Sequence, residues 1–259
     1  MSEKDFYQLI ADELNLRVIQ VSNTIDLLDA GNTVPFIARY RKEATGKLDE
    51  EQIRSVEERI KYLRMLEERK TTILKSIEEQ GKLTPELEQK IKACNKLQEL
   101  EDLYLPYKPK KRTRATVARE KGLEPLSDMV LLQEIEEGDP LEFARQFVDP
   151  EKGVETPEDA LAGARDIVAE IMSDDAEVRK TIRELTRKAG LVMCKAKDPE
   201  AESDYEMYYD YSEPVSKIPP HRILAINRGE REKFLKVKVD VDEEAMHGVI
   251  RKRYARNLR

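Results

Sequence analysis

Tryptophan is absent from this chain, aromatic residues make up only 6%, and there are two cysteines, two histidines and ten glycines. Each scarcity excludes something. Cys94 and Cys194 stand a hundred residues apart with no CxxC spacing and no neighbouring histidine, which excludes a zinc site or a disulfide framework and fits a reducing cytoplasm. His221 and His247 belong to no HExxH or comparable pattern, and the glycines match neither GxGxxG nor GxxxxGKS/T. With no catalytic constellation, the expectation is a protein that is not an enzyme and uses no cofactor or metal. The acid pairs Asp174-Asp175 and Glu243-Glu244 read as helix-start acids that serve the macrodipole. No stretch approaches the roughly 18 apolar residues of a membrane span, and MSEKDFYQLI carries acids where a secretory signal carries basic residues, so neither membrane nor export is expected.

What is abundant is charge: 38% of the 259 residues are Asp, Glu, Lys or Arg, against 39% hydrophobic. That mixture suits helices with solvated outer faces, and the expected class is all-α. Phe6, Ile10 and Leu14 repeat every four residues, and Val18, Val21, Ile25 and Leu28 mark a second amphipathic helix. Pro35 opens a short helix through Tyr40 or Lys42. From Asp49 to about Gln80 no Gly or Pro occurs, and Ile53, Val56, Ile60, Leu63 and Leu66 mark one face that Ile73 and Ile77 resume. This is a single spine helix of roughly 45 Å at 1.5 Å per residue. Further helices are predicted over Glu124–Glu137, Pro140–Val148, Pro157–Ser173, Asp174–Met193 and from Pro219-Pro220 to near Gly229. From Phe234 the period changes: Leu235, Val237, Val239 and Val241 alternate with Lys236, Lys238, Asp240 and Asp242, the pattern of a half-buried strand. No convincing partner strand is visible, so this one is expected to belong to a sheet that the chain does not complete. The expected organisation is a helix-turn-helix-like cluster over 1–48, a helical region with the spine over 49–230, and over 231–259 a strand and helix start leading into a domain outside the chain.

The net charge is -7, yet the stretch YLPYKPKKRTRATVAREK from Tyr104 to Lys121 is basic. In the fourteen residues from Lys108 it holds seven Lys or Arg (Lys108, Lys110, Lys111, Arg112, Arg114, Arg119 and Lys121) against one acid, Glu120. Such local charge implies an anionic partner, of which nucleic acid phosphate is the commonest. Pro106 and Pro109 are expected to hold the start extended, and Thr113 to cap a short helix ending at Gly122.

Two strings resemble a known family: NTVPFIARYRKEATGKLDE from Asn32 to Glu50, and LPYKPKKRTRATVAREKGLEPL from Leu105 to Leu126. Both are similar to the bacterial transcription accessory protein Tex family, as are the helical pattern before the first string and the segment IPPHRILAINRGE from Ile218 to Glu230. The resemblance covers essentially the whole chain and only the first part of the family. It implies that an N-terminal helical region precedes a ribonuclease-H-like domain, helix-hairpin-helix elements and a C-terminal OB-fold RNA-binding domain. The family is also similar to a eukaryotic elongation factor that associates with RNA polymerase and histones.

Two functions are weighed. In the first, Lys108, Lys110, Lys111, Arg112, Arg114, Arg119 and Lys121 clamp phosphates of RNA or single-stranded DNA without reading sequence, with Tyr104 and Tyr107 as stacking or core residues. Arg39, Arg41 and Lys42 form a second positive patch, for which pairing with Glu43, Asp49, Glu50 and Glu51 is the favoured competing role. In the second, the basic run joins helical layers and the spine makes the module a non-catalytic scaffold for the transcription machinery. A groove-reading helix-turn-helix is disfavoured, because the second helix offers bases mainly Gln20, Asn23 and Thr24, together with Asp26.

Overall fold

The structure, a computed structural model, describes residues 3–109, 111–134 and 137–255. Its packing divides after Tyr107 into two units. In the first, α1 (Glu3–Leu14) and α2 (Val18–Asp29) follow the predicted apolar spacing, α3 (Val34–Tyr40) carries Pro35 in its first turn, and α4 (Lys42–Thr45) is a single turn ended by Gly46. Gly46 adopts φ +62°, a left-handed backbone conformation that favours glycine.

The predicted spine is α5 (Glu50–Glu79), 30 residues long. A reciprocal cap opens it: the Gln52 N–H donates to the Asp49 carboxylate at 2.8 Å, and the Asp49 N–H donates to Gln52 Oε1 at 3.0 Å. Its buried stripe serves three clusters in succession. Ile53 joins Val34, Ile37 and Leu48; Val56, Ile60 and Leu63 meet Phe6, Ile10, Val21 and Ile25; Leu66, Ile73 and Ile77 meet Ile91, Leu100 and Tyr104. At about 1.5–3 kcal/mol for each buried aliphatic side chain, this packing outweighs intrinsic propensity in holding the helix. Lys70 interrupts the stripe where its period calls for an apolar residue. The side chain is buried, and Nζ donates to the Lys92 carbonyl at 2.9 Å and to the Glu67 carboxylate at 3.3 Å. That carbonyl lies at the C-terminal end of α6 (Pro85–Ala93), where backbone oxygens lack helical partners. The helix α7 (Leu97–Tyr104) then passes into a 3-10 turn, Leu105–Tyr107.

In the second unit α8 (Arg114–Glu120), α9 (Glu124–Leu132) and α10 (Pro140–Ala144) pack on α11 (Pro157–Asp174). Small residues permit the close approach: Ala115, Ala118, Ala160 and Ala164 are buried together, and a Cβ at Gly163 would lie 2.4 Å from Leu123 Cδ1. Asp175 caps α12 (Ala176–Ala189), accepting from the Glu177 and Val178 N–H groups at 2.9 and 3.1 Å. Beyond it β1 (Leu191–Ala196), β2 (Asp210–Pro214), α13 (Pro220–Arg231), β3 (Leu235–Asp240) and α14 (Glu243–Tyr254) complete the unit.

The strands form an antiparallel sheet in the order β2-β1-β3. The strand at Leu235–Asp240 is therefore not alone, which corrects the expectation that it finds no partner strand within the chain. Val237 pairs with Cys194 and Val239 with Val192, so the backbone groups on the β1 side of β3 find partners within the chain. Two features concealed those partners. The apolar run LVMC in β1 directly follows a helical pattern and reads equally well as its continuation, which is why a helix was expected through Met193. The helix instead ends before Gly190, whose backbone is extended. In β2, DYSEP is too short and polar to display a strand period. Tyr205 and Tyr208 fill the core beside this sheet with Cys194, Ile226 and Leu235. The architecture is predominantly helical with one small sheet, and among the described residues no helix is long and apolar enough to cross a membrane.

Candidate nucleic-acid interface

The basic run begins differently from the proline argument. Leu105 precedes Pro106 yet is helical (φ -52°, ψ -41°), so Pro106 sits inside the 3-10 turn and not in an extended segment. Tyr104 is buried, shares a hydrogen bond with Ser76 at 3.0 Å and lies under the Arg69 guanidinium, 5.4 Å from the ring centre. Tyr107 packs on the same core. Tyr104 is thus a core residue of the first unit, and Tyr107 is half-buried against that core.

Thr113 caps α8 as expected, accepting from the Thr116 N–H at 3.0 Å. Its hydroxyl also donates to Glu170 at 2.9 Å, so a carboxylate of the protein already stands beside this helix start. The cations around it divide by partner. Arg119 is half-buried between Glu170 at 2.7 Å and Glu124 at 3.6 Å, a position that joins α8 to α9 and α11. Lys121 donates to the Gly153 carbonyl at 2.6 Å. Arg112 meets Glu120 at 2.8 Å and Arg114 meets Asp166 at 3.4 Å, with the Arg114 side chain 88% exposed. Exposed pairs of this kind contribute about 0–1 kcal/mol, little enough for a phosphate to replace the carboxylate. A groove of about 680 Å³ beside α8 is lined by Arg112, Arg114 and Lys121 but also by Glu155, Asp159 and Asp166, so its charge is balanced. Lys108 and Lys111 are exposed, and Lys110 lies outside the described residues.

In the first unit Arg39, Arg41 and Lys42 are exposed at the end of α3 and the start of α4. Their favoured competing role, pairing with Glu43, Asp49, Glu50 and Glu51, is not what the structure has. Asp49 caps α5 and Glu50 pairs with Arg54 at 2.9 Å. Among the described residues no carboxylate lies within 4.0 Å of Arg39, Arg41, Lys42, Lys108 or Lys111. The arginines instead lie against aromatic rings: Arg41 is 5.2 Å from the Phe36 centroid, Arg39 is 5.9 Å from that of Tyr40, and the two rings are 5.2 Å apart. Phe36 and Tyr40 escaped the sequence reading. Their signal was present, since Val34 and Ile37 supply the buried face of α3 and leave an i, i+4 aromatic pair on another face.

The polar residues of α2 serve the fold. Gln20 donates to the Gly46 carbonyl at 3.0 Å, Asn23 to the Ala44 carbonyl at 2.8 Å, and the Thr24 hydroxyl to the Gln20 carbonyl at 2.7 Å. The first two bonds tie α2 to α4 and its cap, the third lies within α2, and together they leave little for reading a base edge. At the other end of the chain Arg253 meets Asp175 at 2.8 Å and Arg251 meets Glu244, while Arg256 and Arg259 lie outside the described residues. Among the described residues no cluster of three or more His, Cys, Asp or Glu is placed to hold a metal ion.

Comparison with known proteins supports the family suggested by the two strings. Residues 4–78 match the Tex-like protein N-terminal domain, and residues 136–259 match a region described as Tex central region-like. The chain is 46% identical over 245 residues to "Protein tex" of Bordetella pertussis, covering 92% of this chain and 31% of that protein. It is 46% identical over 233 residues to "Transcriptional accessory protein Tex" of Neisseria gonorrhoeae, covering 89% and 30%. With human "S1 RNA-binding domain-containing protein 1" it shares 32% over 248 residues, covering 92% and 24%. The chain thus spans about a third or less of the length of these relatives. It belongs to the Tex family and carries that family's N-terminal region.

Proposed function

We propose that this chain is a helical module of a transcription accessory protein and that it makes sequence-independent contacts with the phosphates of RNA or single-stranded DNA. The observation that carries this reading is local: Lys108 and Lys111 in the loop, and Arg39, Arg41 and Lys42 at α3 and α4, are two groups of closely spaced, exposed cations with no carboxylate partner among the described residues. In a chain with 53 acids and 46 bases, a local cluster of cations without acidic partners favours an external anion. Arg112 and Arg114 join them by exchanging weak surface pairs for phosphate, whereas Arg119 and Lys121 hold the fold. The relatives named for transcription and for S1 RNA binding lend the reading support. In the longer protein, domains beyond this region supply further contacts, and RNA polymerase is a candidate partner.

A scaffold role is the second reading, favoured by the Arg119–Glu170 pair and by the spine helix. Replacing Lys108 and Lys111 with Glu separates the two. The nucleic-acid reading expects weaker binding of a single-stranded oligonucleotide with unchanged helicity and melting, and unchanged binding would refute this assignment.

A further inference from the structure

The exposed face of α3 has a second property besides charge. Phe36 and Tyr40 are 36% and 59% exposed in a chain with only 6% aromatic residues, and no deeper packing accounts for them, since α3 buries Val34 and Ile37. Their rings lie 5.2 Å apart at an interplanar angle of 48°, with Arg39 and Arg41 each against one ring. Two accessible rings flanked by guanidinium groups are the elements of a base-stacking platform, in which rings take the faces of unpaired bases and cations follow the backbone. A duplex offers such rings no unstacked base, so the platform discriminates by strand form and not by sequence.

We propose that Phe36 and Tyr40 stack the bases of a single-stranded nucleic acid whose phosphates are held by Arg39, Arg41 and Lys42. This rests on the nucleic-acid reading above and adds to it a preference for single strands seated in the first unit. An acidic protein segment would complement the charge equally well, but it would not need two adjacent open rings, and competition by an acidic peptide is one outcome of the test.

The test uses the whole chain, a labelled oligothymidylate, and a blunt duplex of the same length. The expected result is tighter binding of the single strand, a loss of roughly tenfold or more on replacing Phe36 and Tyr40 with Ala, and little loss with Tyr40→Phe. Stacking is not ionic, so the salt slope stays that of the parent protein while affinity falls. Circular dichroism confirms that the variants keep their helicity. Equal affinity for the two strand forms, unchanged single-strand affinity in the Ala variant, or a polyglutamate peptide of matched charge binding as tightly as the oligothymidylate would overturn the stacking assignment and leave anion binding by these cations standing. Failure of the parent protein to bind either strand form would overturn both.

Discussion

Arg119 in α8 and Glu170 in α11 meet at 2.7 Å, and the same carboxylate takes a hydrogen bond from Thr113. This pair removes Arg119 from the set of cations available to a ligand and places it among the residues that join helices. Arg119→Ala is therefore expected to lower stability by about 1–2 kcal/mol in urea denaturation, the range for a partly buried charge-assisted bond. Oligonucleotide affinity at constant salt should stay unchanged in the same variant. A large loss of binding without loss of stability would return Arg119 to the interface.

Lys70 gives the spine a polar anchor inside the third core cluster. Its ammonium group supplies a partner for the Lys92 carbonyl at the end of α6, where positive charge is also favoured by the helix dipole. Lys70→Ala removes the stem and orphans that carbonyl, and the expected cost is about 2–4 kcal/mol. Lys70→Met retains most of the volume and should cost less, because apolar packing offsets part of the lost polar contact. Equilibrium unfolding of the two variants, followed by helicity, decides the order.

Asp175 and Tyr254 make the last turn of α14 sensitive to pH. Burial pushes the Asp175 carboxyl up, but hydrogen bonds from Arg253, Tyr254 and the Val178 N–H prevail and hold it below its ordinary 3.8. The stability it contributes is complete above that value and is lost as pH falls through the lower folded value. Tyr254 moves the other way: burial and the bond to Asp175 push its phenol from 10.0 up to about 12. The folded state holds this proton more tightly than the unfolded chain, so the contribution is complete below 10.0 and declines as pH rises toward about 12. The stability difference between the parent protein and Tyr254→Phe should shrink across that alkaline window. A constant difference would show that the phenol does not titrate as the contact requires.

Much of the first unit was legible because its instructions are local. The Asp49 cap, the Gly- and Pro-free run and the apolar period together define α5, and Thr84-Pro85 opens its helix as its residue types predict, as Thr113 does in the second unit. The sheet was not legible, since β1 and β2 gain strand character only by pairing with β3. The basic run was visible as charge, but charge does not reveal its partners: Arg119, Arg112 and Arg114 face acids supplied by other turns and helices. The aromatic pair on α3 is visible as an i, i+4 spacing, but not as an exposed surface. Its accessibility depends on which face α5 covers, and that is a tertiary fact.

The account rests on cations that meet phosphate, and counterion release measures them directly. If about five cations of the chain meet phosphates of a single strand, log affinity should fall against log salt with a slope of about -3.5. Replacing Lys108 and Lys111 with Glu should make that slope shallower. A slope near zero for the parent chain would contradict the account.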